Sequence, residues 1–170
     1  LSWSLGCYPS PNLEVFQAFS PDDRAIGPVL DRVARRRYGD EAASIAREAW
    51  TAFSDGFRQF PFHVNTVYHA PLHVGPANPL FLTPTGYSAT MVGLPYDDLK
   101  AWTSIYPPEV WIQQMERVRD GFARGCEIWE QLVRHTEHTP CGEDVRRELG
   151  LFRAAELHFA SCINQARFVI

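Results

Sequence analysis

Between Pro107 and His135 apolar side chains recur every three or four positions without a break: Trp111, Met115, Val118, Phe122, Cys126, Trp129 and then Leu132 or Val133. About seven turns of this one-sided pattern predict a long amphipathic helix. A stripe of that length needs a partner of similar length to cover it. The residues from about Glu143 to the end supply one, with Val145, Leu149, Phe152, Ala155, Phe159, Cys162, Ile163 and Ala166 on a single face. Pro140-Cys141-Gly142 is a turn between them, so the two long helices are expected to pack roughly antiparallel.

Two shorter helices precede this pair. The first is expected from about Asp22 to Tyr38, where Ile26, Val29, Leu30, Val33 and Arg37 share a face and Ser20-Pro21-Asp22-Asp23 forms a start signal. The basic run Arg35-Arg36-Arg37, followed by Gly39, reads as cations in a last helical turn. The second helix runs from about Asp40 to Phe60, with Ala46, Ala49, Trp50, Phe53, Phe57 and Phe60 on one face, and Pro61 stops it. Residues 61–107 differ in kind. Pro61, Pro71, Pro76, Pro79, Pro84, Pro95 and Pro107 break them up, and β-prone pieces such as "HVNTVYH", "LFLT" and "ATMVG" lie between. The aromatic and apolar content argues against disorder, so an ordered excursion with little regular structure is expected. The fold class is therefore mainly α: a helical bundle with two long C-terminal helices, a Pro-rich and loop-rich insertion, and a strand at residues 1–6.

That strand, "LSWSLG", stands alone, and a lone strand leaves half of its backbone groups unpaired. Either a sheet lies upstream or the segment is an improvised tail. The C-terminal "FVI" stops in mid-pattern, so both ends read as cut.

Composition excludes several function classes. A net charge of −4 provides no electrostatic footprint for nucleic acid. No run of 18 or more apolar residues is present, so no transmembrane helix is expected. Cys7, Cys126, Cys141 and Cys162 are far apart and form no Cys-x-x-Cys pair. They read as buried free thiols, which favours a reducing compartment. No phosphate-cradling glycine loop and no Gly-x-Ser-x-Gly motif occur, and no cofactor is expected.

The remaining polar candidates lie in the excursion. "PYDDLKAWTSIYPPE" places Asp97, Asp98 and Glu109 among Tyr96, Trp102 and Tyr106, a mixture suited to sugar hydroxyls. The competing reading is capping: Asp97 or Asp98 opens a short helix that contains Leu99 and Trp102, and Glu109 sits in the first turn of the long helix. Asn78, in the turn "GPANP", either holds a substrate hydroxyl or bonds its own backbone. His63, His69 and His73 are spaced widely enough to gather a metal only if other ligands join them, and none stands at ligand spacing.

The phrases themselves resemble a known family. "SWSLGCYPSPNLEV" resembles the last strand and following helix of a hexosaminidase-like (β/α)8-barrel glycoside hydrolase. In such enzymes a strand ending in Trp-[small]-Leu-Gly-Gly, then Tyr-Pro-Ser-Pro-Asn, closes the barrel. "GPANPLFLTPTGYSATMVGLPYDDLKAW", "YPPEVW" and "HFASCINQARF" are similar to the helical C-terminal region of the same enzymes, so the likeness covers nearly the whole chain. Cys7 departs from the pattern, which has a second glycine there. The resemblance implies that residues 1–20 are the last barrel strand and the start of the next helix, and that 21–170 form a helical C-terminal domain. It implies a carbohydrate substrate for the parent enzyme, with catalytic carboxylates on strands upstream, because Leu1 to Gly6 contains no Asp or Glu. Trp3, Asn78, Tyr96 and Asp97 are the substrate-binding candidates on this basis, and this chain by itself is expected to be inactive. The alternative is a free-standing helical binding or oligomerisation module, with Trp111, Phe122, Trp129 and Phe159 serving a partner surface as well as a core. In either case a dimer through the exposed strand or an aromatic surface is an expected partner state.

Overall fold

The computed structural model describes residues 10–19, 25–69, 80–88 and 97–170, which carry seven helices and no strand. The chain is mainly helical. The expected strand at residues 1–6, the start signal at 20–23 and the piece "ATMVG" lie outside the described residues.

Ser10 opens α1 (Pro11–Ala18): its hydroxyl accepts the Asn12 N–H at 3.2 Å, and proline fills the first turn, where its missing N–H costs nothing. Helix α2 (Ile26–Tyr38) ends at Gly39, whose φ of 87° needs a glycine. A short turn leads into α3 (Ala43–Phe57). Val29, Val33, Ala46, Ala49 and Phe53 are buried, in keeping with the two expected stripes, whereas Ile26 and Phe57 are exposed at the helix ends.

The long pair is α6 (Pro108–His135) and α7 (Gly142–Val169), whose bounds fall within a residue of those expected. They run antiparallel. Trp129 Nε1–H donates to the Val145 carbonyl, Glu130 pairs with Arg153, and Glu116, nearer the start of α6, pairs with Arg167, nearer the end of α7. Trp111, Met115, Val118, Trp129, Phe159 and Ile163 are interior, and Phe122 is half-buried.

Helix α3 lies across α6 at very close range. A Cβ on Gly56 would come within 2.7 Å of Gly121 Cα, and one on Gly125 would strike the Phe53 ring. Only glycine lets the two backbones meet there.

Within the excursion, "HVNTVYH" is not β-like. Residues Val64–His69 form α4, and the Asn65 N–H at its start is accepted by His63 Nδ1 at 3.2 Å. Local capping and packing against α5 (Leu99–Thr103) override the β-branched composition. Residues 80–83 are non-helical, held where the Leu80 N–H donates to Gln165 Oε1 of α7 at 2.8 Å.

Candidate functional site

Helices α1, α2 and α3 meet α6 and α7 around an open cleft of about 850 Å³. Its floor is aromatic: Trp50, Phe53, Phe122 and Phe152, with Val15 and Leu30 at the sides. The rings form a connected set, Phe53 lying 4.4 Å from Phe152 and 5.3 Å from Phe122, centroid to centroid. Charges occupy the rim and are already paired, Arg47 with Asp31 at 2.8 Å and Arg58 with Asp55 at 2.7 Å. An apolar floor with satisfied polar edges is suited to apolar contact.

One end of the cleft is fastened by a buried ionic network. Glu148 of α7 is 1% exposed, yet it accepts from Arg37 at 2.5 Å and from the Tyr38 hydroxyl at 2.9 Å. Arg37 also donates to Glu14 of α1 at 2.6 Å, and Arg36 pairs with the other oxygen of Glu14 at 2.6 Å. Burial and the Glu148 carboxylate beside it push the Tyr38 phenol above its usual value, so it remains a donor. Two residues of the basic run are therefore structural ion-pair partners, and they tie α1, α2 and α7 together. The signal was present in the sequence: Arg37 shares the apolar face of α2, and Glu148 stands one turn after Val145 on the inward face of α7. A charge on a buried face requires an opposite charge opposite to it.

No known protein family, characterised protein or solved structure matches the chain.

Of the four expected substrate contacts, Trp3, Asn78 and Tyr96 lie outside the described residues. Asp97 is 3% exposed; its Oδ2 accepts the Thr85 N–H at 2.8 Å and its buried Oδ1 has no partner among the described residues. The helix-opening role belongs to its neighbour Asp98, which accepts the Lys100 N–H at 2.9 Å, and Glu109 sits in the first turn of α6. Thr66 Oγ1, Trp111 Nε1 and Gln114 Oε1 are likewise buried without partners among the described residues. Unpaired buried polar atoms are rare, and this end of the bundle holds both acceptors and a donor. Among the described residues no three His, Cys, Asp or Glu side chains are grouped so as to hold a metal ion. Cys126 and Cys162 are buried thiols, pushed up by burial to about 11 and about 12. No helix among the described residues is long and apolar enough to cross a membrane.

Proposed function

We propose that this chain is the helical C-terminal part of a hexosaminidase-like glycoside hydrolase. In this reading two carboxylates on barrel strands upstream cleave the glycosidic bond. Residues 1–6 form the last strand, and α1 leads away from it. The observation that supports the reading is the position of the apolar cleft. It opens at Ser10, Pro11 and Asn12, the start of α1, where the resemblance sets the junction of strand and helix. An aromatic floor with paired rim charges suits another hydrophobic layer better than a sugar, whose hydroxyls need unpaired donors and acceptors. Sugar contact falls instead to Trp3, Asn78, Tyr96 and Asp97, assigned on the sequence and the resemblance.

The test compares two proteins on aryl N-acetylhexosaminides and aryl hexosides: the product of the whole reading frame that contains Leu1, and residues 1–170 alone. The first is expected to release the aryl group, and the second to match buffer. Hydrolysis by residues 1–170 at enzyme-like rates, or an inert whole product, overturns the proposal.

A second reading, a free-standing binding or oligomerisation module, is favoured by the outer face of α7. There Leu157 and Phe168, 68% and 66% exposed, flank a shallow depression of about 450 Å³. The same assay separates the two readings.

A further inference from the structure

Two short stretches on either side of α4 and α5 lie side by side. The Tyr106 hydroxyl donates to the Phe62 carbonyl at 2.9 Å, and Ser104 Oγ lies 2.7 Å from His63 Nδ1. The direction of the second bond is decided by a third. The Asn65 backbone N–H also points at Nδ1, at 3.2 Å, and a backbone N–H can only donate. Nδ1 therefore carries the lone pair, and Ser104 Oγ–H is the donor. The one lone pair of Nδ1 is shared between the two donors, with Ser104 Oγ the closer at 2.7 Å.

Ser104 is also strained. With φ 54° and ψ −113° it is the one non-glycine residue at positive φ among the described residues. A helix ending in that region ordinarily uses glycine. A serine held there projects its hydroxyl from a sharp turn, the arrangement in which a nucleophile is presented to a substrate. The Ile105 N–H, next in the chain, meets no acceptor among the described residues and is free to donate to an oxyanion. The surroundings are open and apolar, with Phe62, Val64 and Ile105 being 74%, 56% and 68% exposed.

We propose that Ser104 and His63 form a nucleophile–base pair that acts on esters with short apolar acyl chains. Ser104 Oγ bonds to the acyl carbon while its proton passes to His63 Nδ1. The ester C–O bond breaks, and the alcohol leaves with that proton. A water then attacks the acyl-serine, giving its proton to Nδ1, and Ser104 recovers it as the carboxylic acid departs. This pair is separate from the cleft and from Asp97, and it stands whether or not the glycosidase reading holds.

The test is covalent capture by an alkyl fluorophosphonate, read by intact mass and peptide mapping. Oγ–P forms, P–F breaks and fluoride leaves. One phosphonyl group per chain is expected, on Ser104. Ser104→Gly removes the nucleophile and also suits φ 54°, so it is expected to stay folded by circular dichroism and take no label. His63→Asn retains an oxygen that accepts the Asn65 N–H but has no basic ring nitrogen. It is expected to label at least tenfold more slowly. The wild type is further expected to release nitrophenol from 4-nitrophenyl butyrate, and Ser104→Gly is not. Absence of an adduct at Ser104 under conditions that label a known serine hydrolase overturns the proposal. Equal labelling rates for wild type and His63→Asn also overturn it, because a merely structural hydrogen bond would leave them equal.

Discussion

Truncating Glu148 to alanine is expected to lower the stability of the fold by about 3–5 kcal/mol, read as a fall in the urea midpoint. The loss arises on the Arg37 side. That guanidinium has a side-chain exposure of 12% and would lose the carboxylate at 2.5 Å, while Glu14 and the Tyr38 hydroxyl, which accepts its Nε–H at 3.1 Å, stay beside it. Tyr38 would lose its acceptor in the same step. Breaking a buried pair costs far more than the intact pair contributes, because the desolvation of the remaining ion is then no longer offset by that partner. Replacing the pair together, Arg37→Met with Glu148→Leu, is therefore expected to recover part of the loss, the remainder being the Tyr38 hydroxyl left without its acceptor. A single-site loss below about 1 kcal/mol, at the level of an exposed ion pair, would show that Glu148 is solvated in solution.

Trp129→Ala is expected to cost a similar amount, about 3–5 kcal/mol. The indole is fully buried and meets the Tyr38 ring at 5.5 Å and the Phe152 ring at 4.9 Å, both edge-on. Its Nε1–H also donates to the Val145 carbonyl at 3.0 Å. The α6–α7 pairing loses volume, aromatic contacts and a hydrogen bond at one site. Trp129→Phe keeps part of the volume and is expected to lose less. Thermal unfolding followed at 222 nm distinguishes the two. An alanine variant as stable as the wild type would mean that α6 and α7 are not packed in this register.

The two long helices were legible because a stripe of about seven turns leaves no other way to bury its apolar face. The antiparallel register follows from the short turn at residues 136–141. The inserted stretch was less legible. "HVNTVYH" has the β-branched composition of a strand, but His63 caps its start and α5 packs against it, so a helix forms. Arg37 and Glu148 each break an apolar stripe, and either one alone signals a buried partner. Their pairing across the sequence was hidden because it depends on how α2 meets α7. The α3–α6 crossing had a local trace, with Gly121 and Gly125 one turn apart, but their counterparts Gly56 and Phe53 are fixed by tertiary packing. Nothing in the sequence indicated the conformation of Ser104, since only the fold imposes a positive φ on a serine.

The most direct test of the central claim is the mass of the native polypeptide. Antibodies against residues 108–170 would capture it from its source for intact mass measurement. A barrel of about 250 residues less its last strand requires a polypeptide well above the 19.3 kDa of this chain, and such a mass is the predicted result. A native mass near 19.3 kDa would contradict the glycosidase assignment and leave the free-standing module in its place.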